Sequence, residues 1–390
     1  MNLQDLKNSN ILMFGKPRAF SHEEFDSQLK LHDISIFKEF NDEIKLVIDG
    51  RMMTPYEQND SDALYNKYSK DIKFINIDEF EKVLASSLDE DTLLMSLKLS
   101  HDKTRLKSFI QNTMISDELF FKLIKMYSWS NEDFLQNDDN RDVSAAFIAR
   151  FYENIQRNHN VEYAITGFIH LVAQTKSTKL LDTISLLEPM KFNPNIELAI
   201  AMSEYCDEFM QKRFFKKQTP KIYEALSLNK KLIPELIKEF LKDENLGLNV
   251  AKSIKLDDTL YEMLYEFKIG LALNESLSLS MQEKLLDIGD DELSYALALN
   301  QNLDEKILLK LLNFENEDIK KAVYENKIMP VEILEDAYKN TLFLEQLAKN
   351  ISTPIEILYQ LQLDSRYERF VKTNAGFGKH IQQENIGWLV

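Results

Sequence analysis

Asn300-Gln301-Asn302-Leu303-Asp304-Glu305-Lys306-Ile307-Leu308-Leu309-Lys310-Leu311 is one line of a sequence that repeats itself. An Asn is followed three residues later by an apolar residue and four later by a helix-opening residue. Further apolar residues come seven and eleven positions on. Asn326 leads Met329, Pro330, Ile333 and Ala337 in this frame, and Asn350 leads Thr353, Pro354, Ile357 and Leu361. Asn274 leads Leu277, Ser278, Met281 and Leu285, and Asn229 leads Leu232, Leu236 and Phe240. Asn112 leads Ile115, Ser116, Leu119 and Leu123, while Asn374 keeps Phe377 and Ile381 in step. Ser253 stands in the Asn slot before Leu256, Asp257, Leu260 and Leu264. The period is roughly 21 to 26 residues, the range of stacked structural repeats.

One unit can be read physically. Apolar residues at offsets seven, eight and eleven share one helical face. Thr353-Pro354-Ile355-Glu356 reads as an N-cap Thr, a Pro at the first helical position and a capping-box Glu. Short apolar segments such as 296–299 and 322–325 precede the Asn. The Asn is expected to end them, bonding nearby backbone and tolerating left-handed φ. A period of this length holds two short helices, one of them open to being 3₁₀. One unit cannot bury its apolar face alone, so the units must stack.

The first residues follow another rule. Ile11–Phe14 reads as a buried strand ended by Gly15, and Ser21-His22-Glu23-Glu24 has capping-box spacing for a helix to about Leu31. Ile34-Ser35-Ile36, Ile44–Ile48 and Phe74–Ile77 read as strands. Asp62-Ala63-Leu64-Tyr65 is expected to begin a second helix, and Asp78 to cap a third through Leu84. The order β-α-β-β-α-β-α implies a small, mainly parallel four-stranded sheet covered by helices.

That order, with the string from Ile72 to Leu84, resembles the BRCT domain over about 80 residues. Lys30-Leu31-His32-Asp33 stands where the family has a Gly-Gly turn, and Phe80 matches its usual Trp. The resemblance implies a phosphopeptide pocket at Gly15. However, Phe14 replaces the family's Ser or Thr, and the expected second-helix start, Asp60-Ser61-Asp62, is acidic. The domain is therefore expected to act as a cap and partner-docking module. The Asn period, the Thr-Pro-x-Glu-Ile-Leu string from Thr353 to Leu358 and the alanines before Asn300 and Asn326 resemble the leucine-rich repeat variant family, with HEAT-type repeats as near neighbours. The implied fold is an α-solenoid.

Leu88-Asp89-Glu90-Asp91-Thr92-Leu93-Leu94 parallels Leu303 to Leu309, so the array is expected to begin near residue 86. The stretches 143–155, 161–174, 180–187 and 196–215 read as longer amphipathic helices, separated by polar breaks such as 158–160 and Asn193-Pro194-Asn195. The expected organisation is an α/β domain at 1–85, irregular helical hairpins at 86–220, and a solenoid at 221–390. Trp388-Leu389-Val390 is expected to cap the last unit.

Signals for chemistry are sparse. The six histidines (His22, His32, His101, His159, His170 and His380) show no metal-ligand spacing. Cys206 lies on an apolar stripe as a core thiol and cannot form an internal disulfide. No phosphate-loop or nucleophile-elbow motif is present. Asn137-Asp138-Asp139-Asn140-Arg141-Asp142 lacks the Gly and distal Glu of a calcium loop and is expected to be a solvated loop capping a helix at Asp142.

Net charge is −17, with 64 Asp and Glu against 47 Lys and Arg. That opposes whole-surface attraction to nucleic acid or anionic membrane. The exception is Lys212-Arg213-Phe214-Phe215-Lys216-Lys217, with Lys221 beyond, where aromatics sit inside a basic run. The plainer reading is cations at a helix C-terminus with the Phe pair in the core. No secretory signal or membrane-spanning run is visible, so a soluble cytoplasmic protein is expected. The sequence points to a non-enzymatic scaffold or adaptor, monomeric or weakly oligomeric, without cofactor or metal. Its acidity favours a partner protein with a basic or mixed-charge surface. The alternative is a DNA repair or replication factor that docks through the BRCT-like domain and touches phosphate through Lys212, Arg213, Lys216, Lys217 and Lys221.

Overall fold

The computed structural model describes residues 3–85, 88–130, 137–152, 165–188, 190–191 and 193–383. The chain divides into two compact units, one comprising 1–175 with 179–196 and the other 176–178 with 197–390. The fold is a small α/β domain followed by a helical-repeat solenoid.

The first unit begins with a 3₁₀ turn, Leu3–Leu6, and then runs β1 (Asn10–Phe14), α1 (His22–Leu31), β2 (Ser35–Phe37), β3 (Ile44–Asp49), α2 (Pro55–Tyr68), β4 (Lys73–Asn76) and α3 (Ile77–Ala85). The strands lie in the order β2-β1-β3-β4, all parallel. Ile11 sits opposite Ile36 and Leu46, and Leu12 opposite Phe37 and Val47. Strand residues alternate between faces. Leu12, Phe14 and Val47 pack with Leu64 of α2, while α1 and α3 meet through Phe25 and Phe80, rings 5.8 Å apart.

The capping box at α1 forms as its spacing predicts, with Ser21 accepting from Glu24 and Glu24 from Ser21. Two other starts differ from the sequence reading. Helix α2 begins at Pro55, seven residues before Asp62, because Thr54 and Glu57 form a second capping box with Pro at the first position. Helix α3 is opened by Asn76, whose side chain accepts from Glu79 N–H, while Asp78 pairs with Arg18 at 2.7 Å.

Among the described residues six helices follow: α4 (Glu90–Ser100), α5 (Lys103–Ile110), α6 (Asp117–Met126), α7 (Asp138–Phe151), α8 (Ile165–Gln174) and α9 (Thr178–Leu186). Asp89 caps α4 as the parallel with Asp304 predicts. Helix α7 starts at Asp138 under an Asn137 cap, so Asn137 to Asp142 is a helix start, not a loop capped at Asp142. The aromatic core of α6, α7 and α8 runs through Phe120, Phe147 and Phe168. The break at 158–160, His159 and the Trp388-Leu389-Val390 tail lie outside the described residues.

The second unit alternates two rows of short helices. One row is α10 (Pro194–Met202), α12 (Pro220–Ser227), α14 (Glu244–Ser253), α16 (Lys268–Ala272), α18 (Asp291–Leu299), α20 (Glu317–Glu325), α22 (Leu344–Lys349) and α24 (Glu368–Thr373). From α12 on, each member packs against the next. Between them come α11 (Glu208–Phe215), α13 (Pro234–Phe240), α15 (Asp258–Met263), α17 (Leu279–Leu286), α19 (Glu305–Leu311), α21 (Val331–Lys339), α23 (Ile355–Gln362) and α25 (Ala375–Gln383). Both rows are α-helical, so neither member of a described repeat is 3₁₀. The stretch 196–215, read as one helix, is two, because Asp207 caps a new helix with its side chain. The predicted N-caps Asp257, Ser278 and Asp304 all accept from backbone N–H groups. Thr353 does not. It is buried, and its hydroxyl donates to Leu347 O at 2.7 Å, leaving Pro354 in the cap position.

Candidate functional site

The repeat Asn bonds through both ends of its carboxamide, and its bonds reach further than its sequence position suggests. Asn300, Asn326, Asn350 and Asn374 end α18, α20, α22 and α24 with φ between −69° and −73° and ψ near +120° to +131°. That is extended backbone, not the left-handed conformation expected. Extended backbone turns each carboxamide back toward the preceding repeat. Asn326 Nδ2 donates to Ala298 O at 2.9 Å and Asn300 O at 2.8 Å, while its Oδ1 accepts from Ile328 N–H at 3.1 Å. Asn300 bonds Ala272 O and Asn274 O in the same way. Asn350 bonds Tyr324 O and Asn326 O, and Asn374 bonds Ala348 O and Asn350 O. Asn274 reaches Ala251 O and Ile254 O, and Asn229 reaches Ala201 O and Ser203 O.

These six asparagines are at most 4 % exposed. Each satisfies two helix-end carbonyls that have no partner inside their own helix. The result is a polar ladder through the apolar stack. Asn112, in the first unit, makes the local half of the pattern, accepting from Met114 N–H at 2.9 Å. Farther along that unit, Arg150 replaces an Asn rung and donates to Asn112 O and Ile115 O.

A second set of bridging side chains escaped the sequence reading. Gln211 Nε2 donates to Cys206 O and Lys231 O while its Oε1 accepts from Ile233 N–H. Gln282 does the same with Leu277 O, Asn302 O and Asp304 N–H. Both follow the N-cap of their helix by four residues, Asp207 and Ser278, and that spacing was the available signal.

The ladder breaks once. Helix α14 runs through Ser253, and its cap is Ile254, which has no polar side chain. The link to the preceding repeat is made by main chain, Lys255 N–H to Lys230 O at 3.1 Å. A groove of about 470 Å³ opens at this break, lined by Lys230, Lys231, Lys252 and Lys255 against Glu204 and Glu275. Lys231 pairs with Glu204 at 3.4 Å and Lys230 reaches Glu275 at 4.0 Å. Among the described residues Lys252 and Lys255 form no ion pair.

The basic run singled out in the sequence lies at the C-terminal end of α11 and in the turn that follows. Lys212 pairs with Glu208 at 2.5 Å and Lys217 with Glu197. Phe214 is buried beneath Arg213 and Lys217, and Phe215 stacks on Tyr223 with rings 4.9 Å apart. Lys216 caps the helix end and Lys221 lies in the next helix, α12. Within the run Arg213 and Lys217 share the Phe214 ring, while carboxylates engage Lys212 and Lys217.

Just past the carboxyl end of β1, Gly15 has φ +68° and its N–H donates to Glu57 Oε1 at 3.2 Å. The Glu57 carboxyl is held below its ordinary value by N–H and hydroxyl bonds from Thr54 and by the Gly15 bond. An anion approaching the Gly15 N–H would meet this carboxylate already in place. Burial pushes the Cys206 thiol up to about 12, which leaves it protonated and inert as a nucleophile. Among the described residues no three His, Cys, Asp or Glu side chains converge where a metal could sit, and no helix is long and apolar enough to cross a membrane. No protein-family model, curated protein or solved structure matches the chain.

Proposed function

We propose that the protein is a non-enzymatic interaction scaffold whose stacked repeats present an extended surface to another protein. The Asn ladder carries this reading. The buried polar side chains of the repeats join one repeat to the next and do not converge on a reacting atom, as a catalytic constellation must. A stack of this kind generates surface in proportion to its length. The N-terminal domain has the element order that the BRCT resemblance requires. Its Gly15 position, occupied by Glu57, favours docking through side-chain surfaces over phosphate capture. The leucine-rich-repeat-variant resemblance rests on the Asn period and the Thr353 to Leu358 string.

The test is capture of partners from cell lysate by the full chain, before and after nuclease treatment. The scaffold reading expects one or more proteins retained after nuclease. Capture of nucleic acid alone, or of proteins released by nuclease, contradicts it and favours the nucleic-acid alternative.

A further inference from the structure

Chain length and charge leave open what kind of segment the scaffold holds. The break in the Asn ladder answers that more closely. From Asn274 onward, side chains in or beside the turns bind neighbouring turns: Asn302 Nδ2 donates to Glu275 O at 3.2 Å and Ser352 Oγ to Lys327 O at 2.6 Å. At the break the turn at 253–256 is bound by Asn274 and Ser276 of the following turn, but among the described residues its link to the preceding turn at 229–231 is main chain alone. Lys230 and Lys231 from one turn, and Lys252 and Lys255 from the next, line the groove instead.

A second depression of about 510 Å³ adjoins it, sharing Lys230, Lys231 and Lys255. Its apolar lining includes Leu232, Ile237, Ile254, Leu260 and Met263, with Met263 42 % exposed. Cations therefore stand between a polar trough and an apolar one. This is the reverse of the chain's overall charge of −17, and local attraction of a carboxylate has to be strong enough to oppose that field.

We infer that the lysine groove at the ladder break binds an extended acidic segment of a partner protein, with carboxylates at Lys252 and Lys255 and one apolar side chain in the adjoining depression. The inference rests on the scaffold reading and names the chemistry of its partner. Charge complementarity selects the occupant. Neither depression is lined by an aromatic ring on which a base could stack, which a single-stranded nucleic-acid groove needs. A long polyanion would also meet the acidic remainder of the surface, whereas a short segment need not.

The experiment is fluorescence anisotropy on the full chain with a labelled glutamate-rich peptide carrying one leucine. A single-stranded oligothymidylate serves as the competing probe. The expected result is saturable peptide binding that weakens with salt and falls about tenfold or more in K252E/K255E. Binding should survive in K306E/K339E, which changes net charge equally at exposed sites. Replacing the peptide's leucine with serine should weaken binding further. Circular dichroism confirms that both double variants are folded.

The groove assignment is overturned if the peptide does not bind, if K252E/K255E binds as the unmodified chain does, or if both double variants lose binding equally. It is also overturned if the oligonucleotide binds more tightly through the same lysines. Failure of the groove and failure of the scaffold separate cleanly. Proteins captured from lysate equally by the unmodified chain and K252E/K255E remove the groove and keep the scaffold. Capture of no protein at all removes the scaffold.

Discussion

The carboxamide nitrogen of Asn326 donates to the carbonyl of Asn300, 26 residues earlier, at 2.8 Å. The bond ties the end of one helix to the end of the helix before it, and Asn326 O accepts the same bond from Asn350. A rung that both gives and receives makes stability of the stack depend on its neighbours, as a one-dimensional array requires.

Replacing Asn326 with Ala removes one acceptor and a two-bond donor from a fully buried position. Ile328 N–H and the carbonyls of Ala298 and Asn300 lose their partner. Each unsatisfied buried group costs about 1–3 kcal/mol, so a total loss of about 3 kcal/mol or more is expected in urea unfolding. Asn340→Ala, at an exposed helix end, should change stability by less than about 0.5 kcal/mol. Equal effects at the two sites would remove the ladder from the account.

Close helix approach sets a second expectation. A Cβ at Gly270 would lie 2.6 Å from Leu248 O and 2.9 Å from the Ala251 Cβ, so α16 and α14 would have to separate. Gly270→Ala should cost about 1–3 kcal/mol. Gly378, inside α25, has no atom near its would-be Cβ. Gly378→Ala should instead stabilise by up to about 1 kcal/mol through helix propensity. Thermal unfolding of the two variants checks the opposite signs.

The period of the Asn frame was readable because apolar positions recur at helical spacing, and stacking then follows from the need to bury them. The direction of the Asn bonds was not readable. Asn300 and Asn326 meet only after stacking, and short-range rules assign their side chains to their own turn. The same limit hid the groove, since Lys230 and Lys255 come together only across two repeats. The run from Lys212 to Lys217 stands out by density, yet Glu208 and Glu197 pair with two of its lysines and Phe214 is buried beneath it. In the first domain, the capping box at Ser21 forms where its spacing places it. Helix α2 opens ahead of Asp62 because Thr54-Pro55-Tyr56-Glu57 supplies cap, first-position Pro and capping-box Glu in one string.

Acid should weaken the first unit through Glu24. Burial raises its pKa, but bonds from Ser96, Arg105 and Ser21 outweigh burial and hold it below its ordinary value of 4.5. Arg105 is 7 % exposed and also donates to Ala19 O at 2.8 Å. Because the folded pKa is lowered, this stabilisation is complete above pH 4.5 and is lost as pH falls through the folded value. Glu24→Gln should cost about 2 kcal/mol near neutral pH, less than for a fully buried pair because Glu24 is partly solvated. The variant should also show a shallower loss of stability in acid. Urea titrations across that range would contradict the assignment if both chains lost stability in parallel.

Side-chain amide hydrogen exchange, read by NMR on the full chain, tests the central claim most directly. If the asparagines form a buried ladder, the Nδ2 protons of Asn300, Asn326 and Asn350 exchange only when the stack opens, orders of magnitude more slowly than those of exposed Asn313 and Asn340. Exchange of all five at the rate of exposed carboxamides would mean that the rungs do not form and that something else holds the repeats in register.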